Sequence, residues 1–395
     1  MVPATGSATP RLLGVDATRG VALVGMMAVH VLPAQDADGS TSLAYLVASG
    51  RAAAAFAVLA GVGLALATGG QRVPTGRRWA GAAAATVVRG LLVGLVGLLL
   101  GEAGGDTGVA LVLGYYAALF LLAPPLLGLG VGGLAAVAGA VALVGPAVGL
   151  VWRSALPVST YDNPSLTRLA QEPAQVAAEL LLTGYYPAFA WLAYLAAGLL
   201  VGRLALGALR VQVGLLVGGV ALAAGATAVS ALLLGPLGGF RALLATQPRL
   251  TATELDRELE RSLYGATPTS SWWWLAVDAP HSSTPPDLLA TTGTAVALLG
   301  ALLLLARVAG GLLRPLAAAG STTLSLYTGH VLLLASGWLP ADPVLSWLLQ
   351  VALALALATA WLLLAPRGPL ETLVSAAAKG AARLVEPTPG RTPVT

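Results

Sequence analysis

Three ionisable side chains lie within one apolar segment near the start of the chain. The segment LLGVDATRGVALVGMMAVHV, residues 12–31, is long and apolar enough to cross a bilayer, yet it contains Asp16, Arg19 and His30. A charged side chain at membrane depth costs about 2.5–3.5 kcal/mol on insertion scales, so such residues are rare and usually functional. This segment is therefore the first candidate for chemistry in the chain.

The spacing of these side chains places them on one face of a helix. Arg19 and His30 are separated by about three turns plus 20° of rotation and by about 16 Å along the axis. Asp16 precedes Arg19 by one turn. The face therefore has a carboxylate and a guanidinium toward one membrane surface and an imidazole toward the other. The structural alternative is an ion pair between Asp16 and Arg19 at the surface, with His30 at the opposite interface.

A second group of polar residues lies in the segment GSTTLSLYTGHVLLL, residues 320–334. Thr323, Tyr327 and His330 occur at i, i+4 and i+7, which places them on one stripe of a helix. Serine, threonine and histidine also form hydrogen bonds between helices in lipid, so a packing role and a functional role both stay open.

Four further residues are candidates for a site at the outer membrane surface. Arg51 begins a predicted span, where it either anchors the interface or binds an anionic or hydroxylated group. Asp278 and His281 lie in a long loop, where they either pair with each other or are only solvated. Tyr186 belongs to an aromatic group that is typical of a membrane interface.

Composition determines the class of protein. Hydrophobic residues make up 57% of the 395 residues and charged residues only 10%, whereas soluble domains have about 25% charged residues. The chain is therefore predicted to be a polytopic membrane protein. Its basic residues are distributed between the spans, so the net positive charge does not indicate a nucleic-acid partner. The absence of cysteine excludes disulfides and thiolate metal sites, and three dispersed histidines do not indicate a metal site.

The apolar runs predict an all-α bundle of about ten transmembrane helices. The predicted spans are 12–32, 46–68, 79–101, 107–125, 127–151, 184–206, 211–235, 288–308, 316–337 and 343–365. Most Lys and Arg residues lie in the cytoplasm if both termini are inside, which favours that orientation. Residues 1–366 then form one transmembrane domain with outer loops at about 152–183 and 236–287, and residues 367–395 form a cytoplasmic tail.

Four segments, in order, resemble the transmembrane acyltransferase superfamily. RLLGVDATRGVALVGMMAVH looks like the first helix of the heparan-alpha-glucosaminide N-acetyltransferase-like bacterial branch, which is related to acyltransferase-3. RAAAAFAVLAGVGLAL, GYYPAFAWLAYLAAGLLVGR and GSTTLSLYTGHVLLL resemble its second helix, a middle helix and a late helix. The resemblance covers about residues 11–365 and implies an acyl-CoA-dependent O- or N-acyltransferase.

The resemblance implies a donor on the cytoplasmic side and an acceptor on the outer side. His30 would be the general base, because an imidazole with a pKa near 6.5 takes up protons at neutral pH. Asp278 and His281 are expected beside it in the catalytic group. The acceptor, a sugar, glycan or lipid, is expected to contact Arg51, Tyr186, Tyr327 and His330. The donor, acetyl-CoA or another acyl-CoA, is expected to contact Asp16, Arg19, Arg72, Arg77, Arg78 and Arg89.

Two other functions stay open at this point. A proton- or ion-coupled transporter or flippase would use the face formed by Asp16, Arg19 and His30, although no internal repeat typical of transporters is apparent. A membrane scaffold without catalysis is the third interpretation. We expect an integral protein of a bacterial plasma membrane, in contact with membrane lipid and without a metal or nucleic-acid partner, and a homodimer is left open.

Overall fold

The chain is all-helical in a computed structural model that describes residues 12–104, 107–261, 263, 265 and 267–386. The α-helices of these residues are α1 (Leu13–Val31), α2 (Leu43–Ala48), α3 (Arg51–Ala67), α4 (Gly76–Ala103), α5 (Leu113–Leu122), α6 (Pro124–Leu127), α7 (Val131–Arg153), α8 (Leu166–Gln171), α9 (Pro173–Ala178), α10 (Ala188–Gly202), α11 (Leu209–Leu234), α12 (Gly239–Ala245), α13 (Ala252–Arg261), α14 (Pro285–Ser321), α15 (Thr323–Ala335), α16 (Pro343–Leu364) and α17 (Pro369–Val385). A π-helical turn at Glu179–Thr183 and a 3-10 turn at Trp272–Ala276 are also present.

Several of these helices are long and apolar enough to cross a membrane. The six that meet this condition are Leu43–Ala67, Gly76–Ala103, Val131–Arg153, Leu209–Leu234, Pro285–Ser321 and Pro343–Leu364. The segments Pro173–Thr183 and Ala188–Gly202, bent by 51° relative to each other, make a seventh if they are counted as one span. α5 and α15 are apolar but shorter. The protein is therefore a multi-pass membrane protein.

Glycines allow the central helices to pack closely. A Cβ atom on Gly320 of α14 would lie 1.7 Å from the carbonyl oxygen of Asp16, and one on Gly20 of α1 would lie 2.0 Å from that of Leu316. α10 approaches α3 in the same way, since a Cβ atom on Gly198 would lie 1.9 Å from an α3 carbonyl oxygen. Small residues commonly mediate such contacts in lipid, where van der Waals packing drives helix association. These contacts hold α1 closely against α14 and α10 closely against α3.

The predicted ninth span, 316–337, is divided in the structure. α14 passes through a kink at Ala309 and continues to Ser321, and the backbone leaves the helical conformation at Thr322 (φ −126°, ψ 26°). The hydroxyls of Ser321 and Thr322 donate to the carbonyl oxygen of Ala318 at 2.9 and 3.1 Å. Such side-chain bonds compete with the backbone ladder and help to end a helix. α15 is therefore a separate helix of 13 residues.

The predicted tail, 367–395, contains the amphipathic helix α17, which packs against α4. The carboxylate of Glu371 accepts hydrogen bonds from the backbone N–H groups of Leu324 and Ser325 at 2.6 and 3.1 Å, and from the Ser325 hydroxyl at 2.6 Å. The first N–H groups of a helix have no partner within that helix. Glu371 therefore caps α15, and α17 is part of the bundle.

Candidate functional site

A cavity of about 900 Å³, called here the histidine cavity, surrounds the exposed edge of His30. Its wall also contains His281, Glu258, Arg261 and the tyrosines Tyr45, Tyr161, Tyr185 and Tyr186. Aromatic faces with a few convergent polar groups are typical of a site that binds and orients a small molecule. The structure thus brings together three residues that the sequence singled out: His30, His281 and Tyr186.

His30 lies in the last turn of α1 and contacts His330 of α15. The two rings are stacked, with centroids 5.3 Å apart and planes inclined by 12°. Nδ1 of His30 lies 3.1 Å from Nε2 of His330. His330 is buried and lies outside the described wall of the histidine cavity. The contact between His330 and the acceptor stays a prediction, and the structure places His330 beside the His30 ring.

His281 reaches the same cavity from the loop that precedes α14. Its Nε2 accepts a hydrogen bond from the backbone N–H of Gly50 at 3.1 Å, and its ring packs edge-on against Tyr186 at 5.3 Å. The backbone φ of His281 is 59°, in the left-handed region that non-glycine residues rarely adopt and that is often found at functional sites. Burial lowers the pKa of His281 from 6.5 to about 4, so its imidazole is neutral at neutral pH.

The pKa of His281 predicts an acid-sensitive fold. The free energy of unfolding should fall as the pH decreases from 6.5 to about 4, because His281 binds a proton near pH 6.5 in the unfolded chain but only near pH 4 in the folded one. The His281→Gln variant keeps a hydrogen-bond acceptor but does not titrate, so its stability should depend less on pH. Thermal unfolding in detergent across this range measures the difference. Equal pH dependence of the two proteins would contradict the prediction.

A second cavity, of about 260 Å³ and called the apolar cavity, is lined along α1 by Arg19 and Met26. Arg19 donates to Oδ1 of Asp16 at 3.1 Å and to a carbonyl oxygen of α3 at 3.2 Å. Tyr327 of α15 also lines this cavity, and its ring centroid lies 6.4 Å from that of His30. Tyr327 therefore links the wall of the apolar cavity to His30.

A third cavity, of about 680 Å³ and called the arginine cavity, lies at the opposite end of the site from His281. Its wall contains the cations Arg72, Arg78, Arg89, Arg367 and Lys379 together with Glu386. Arg89 and Ser375 line the apolar cavity as well, so the two cavities adjoin. Several guanidinium groups around one concave surface favour a ligand with phosphate groups, because they form charge-assisted hydrogen bonds with its oxygens.

Arg203 supports the arginine cavity although the sequence did not single it out. Its guanidinium donates to the carbonyl oxygens of Gly70, Arg72 and Leu127 at 2.8, 3.1 and 2.9 Å, and only 3% of the residue is exposed. Gly70 and Arg72 belong to the connection between α3 and α4, which forms part of the cavity wall. In the sequence, Arg203 is only an arginine near the end of a predicted span. Such an arginine is explained equally well by the excess of basic residues on the cytoplasmic side of membrane proteins.

Five predicted site residues lie outside the described walls of these cavities: Asp16, Arg51, Arg77, Asp278 and His330. Asp16 pairs with Arg19, and His330 contacts His30. Arg77 precedes Arg78 by one position in α4, so its side chain is rotated by about 100° around the helix axis relative to that of Arg78. Oδ2 of Asp278 accepts from the Thr227 hydroxyl at 2.5 Å, and burial raises the pKa of this carboxyl. Arg51 donates to a carbonyl oxygen of α2 at 2.6 Å. Their predicted roles in catalysis and binding are therefore not supported by direct contact with a cavity.

Sequence comparison relates this arrangement to known enzymes. The family model described as heparan-alpha-glucosaminide N-acetyltransferase, catalytic, matches residues 11–227, which is more than half of the chain. The match includes Arg19 and His30 and ends before α15. A search of curated proteins found no match. Because the family model covers most of the helices that form the three cavities, the chain belongs to the heparan-alpha-glucosaminide N-acetyltransferase family and is a membrane acetyltransferase.

Proposed function

We propose that the protein transfers an acetyl group from acetyl-CoA, bound in the arginine cavity on the cytoplasmic side, to a hydroxyl or amine of an acceptor in the histidine cavity on the outer side. The observation that carries this proposal is the order of the cavities. The arginine cavity adjoins the apolar cavity through Arg89 and Ser375, and Tyr327 links the apolar cavity to His30.

The arginine cavity and the apolar cavity suit the nucleotide and the pantetheine arm of CoA, respectively. The nucleotide and diphosphate would be held in the arginine cavity by charge-assisted hydrogen bonds from Arg72, Arg78 and Arg89. The pantetheine arm is thin and flexible, which suits the smaller cavity beside Arg19 and Met26. The acetyl thioester would then lie near Tyr327, next to His30.

His30 acts as the general base in this mechanism. As the acceptor oxygen or nitrogen attacks the thioester carbonyl carbon, its proton passes to the imidazole. The C–S bond then breaks, the acetyl group remains on the acceptor, and the CoA sulfur takes the proton from His30. The Tyr327 hydroxyl accepts from the backbone N–H of Val112 at 3.4 Å. Its own proton is available to donate to the carbonyl oxygen, which becomes negative during the attack.

The histidine cavity supports a polar acceptor such as a sugar, a glycan or a lipid-linked sugar. Tyr186 and Tyr161 present aromatic faces, while Glu258 and Arg261 of α13 supply an acceptor and a donor of hydrogen bonds. The neutral His281 ring adds a further polar edge. A cavity of this size and composition holds one or two sugar rings and orients their hydroxyl or amino groups toward His30.

Vesicles with a defined protein orientation test the function. Proteoliposomes are loaded with a mixture of amino sugars and simple glycosides, and acetyl-CoA with a labelled acetyl group is added outside. Protein molecules with the arginine cavity outward should place labelled acetyl groups on the trapped sugar and release CoA outside. Release of unmodified sugar from the vesicles without CoA release would instead favour a transporter.

A further inference from the structure

α16 has two buried polar side chains that the proposed mechanism does not use. Ser346 and Gln350 are 4% and 3% exposed, and they lie one turn apart on the face of α16 that also buries Ala354 and Ala358. Most of the other residues of α16 are apolar. A buried primary amide in a membrane span is costly unless its oxygen and nitrogen are both hydrogen-bonded.

Both ends of the Gln350 amide have partners. Oε1 lies 2.6 Å from Nδ1 of His330, and Nε2 donates to Oγ of Ser346 at 3.2 Å. The other nitrogen of His330, Nε2, lies 3.1 Å from Nδ1 of His30. A continuous series of hydrogen bonds therefore extends from Ser346 through Gln350 and His330 to His30, at the wall of the histidine cavity.

The chemistry of these groups determines the direction of each hydrogen bond. An amide oxygen only accepts, so Nδ1 of His330 has the proton and donates it to Gln350. A neutral imidazole with a proton on Nδ1 has its lone pair on Nε2, so His330 accepts a hydrogen bond from Nδ1 of His30. The lone pair of His30 is then on Nε2, which is the ring nitrogen left to take a proton from the acceptor.

We propose that Gln350 is a positioning residue that sets the tautomer of His330 and, through it, of His30, so that Nε2 of His30 is the catalytic base. This inference rests on the proposed role of His30 in acetyl transfer. After Nε2 accepts a proton, Nδ1–H of the His30 imidazolium still donates to Nε2 of the neutral His330 ring, and the hydrogen bond from Nδ1–H of His330 to the Gln350 oxygen makes that ring a better acceptor. The other titratable groups that face this pair are His281 and Tyr327.

Two replacements of Gln350, by methionine and by glutamate, have side chains of nearly the same length as glutamine. They therefore separate the effect of the hydrogen bond from the effect of packing. Gln350→Met removes the acceptor oxygen, so kcat should fall about tenfold to 100-fold with little change in the KM for acetyl-CoA. Gln350→Glu keeps an acceptor in the same place and should recover most of the lost activity. Its carboxylate stabilises the protonated imidazoles, so the acidic limb of its pH–rate profile should move to higher pH. Thermal unfolding of both variants verifies that they are folded.

Nitrogen NMR of the histidine rings provides a measurement that does not depend on activity. The chain has three histidines, so a protein labelled with ¹⁵N-histidine gives a simple spectrum. His30 and His330 should both show the Nδ1–H tautomer, and Gln350→Met should change the tautomer of His330 while His281 keeps its own. Unchanged tautomers and kcat in Gln350→Met, or equal losses of kcat in folded Met and Glu variants, would overturn the inference. Full transfer activity in His30→Ala would instead show that the proposed function is wrong.

Discussion

Replacement of His30 by alanine is expected to lower kcat for acetyl transfer about 10³-fold, within the usual range for loss of a general base. His30 is the imidazole that lines the histidine cavity and also neighbours Tyr327 at the apolar cavity. Its removal leaves no group at this position to take the acceptor proton. The KM for acetyl-CoA should change little, because the cations of the arginine cavity remain. Initial rates of CoA release with a saturating acceptor measure both parameters.

Chemical rescue distinguishes loss of the base from loss of folding. Alanine leaves a hole beside the histidine cavity, so added imidazole should restore part of the activity of His30→Ala. The His281→Gln variant is the comparison, and its main change should be a higher KM for the acceptor, since His281 lines the cavity beside Tyr186. A His30→Ala protein with more than about a tenth of the wild-type kcat would exclude His30 as the general base.

The double replacement of Arg78 and Arg89 by glutamine is expected to raise the KM for acetyl-CoA about 100-fold. Hydrogen bonds to charged groups contribute about 1.5–3 kcal/mol each, and about 1.4 kcal/mol corresponds to a factor of ten. Both guanidinium groups line the arginine cavity, which is partly open to solvent, so the lower end of that range applies. Steady-state kinetics with acetyl-CoA as the varied substrate measures the change.

Arg77→Gln is the matched control for this experiment. Arg77 is adjacent to Arg78 on α4 and has the same charge, but it lies outside the described wall of the arginine cavity. Its replacement should change the KM less than threefold, by the usual small effect of one exposed charge. S-Acetylpantetheine, which lacks the nucleotide, should react equally with the wild-type protein and the single variant Arg78→Gln, because Arg78 lines only the arginine cavity among the described walls. An equal increase in KM for Arg77→Gln would show that general surface charge, rather than the cavity, attracts the donor.

The properties that depend on a short stretch of sequence were predictable. The helical period and the cost of charge in lipid were enough to single out Arg19 and His30 on one helix, and the structure places them at two different cavities along that helix. The break between the predicted spans 107–125 and 127–151 followed from the same local rules. Hydrophobic runs and helix breakers act within a few turns, which a sequence shows directly.

The contacts between distant segments were not predictable. Three hundred residues separate His30 from His330, and no pattern in either segment specifies that their rings stack. The sequence did not single out Gln350 of α16, because its partner His330 lies on a different helix, α15. Asp278 appeared well placed to pair with His281, but it bonds to Thr227 of α11. Such pairings depend on how the helices pack, which a single sequence does not encode in any local feature.

The helix α17 is synthesised last among the described helices, although earlier parts of the structure depend on it. α17 follows α16 in the chain, yet Glu371 caps the helix that holds Tyr327 and His330, and Lys379 completes the wall of the arginine cavity. A nascent chain that has been inserted as far as α16 has its histidines in the membrane, but it lacks part of the surface that would bind acetyl-CoA. In the proposed mechanism the acceptor side would therefore be synthesised first, and the surface for acetyl-CoA would be complete only after α17 has emerged and docked on α4.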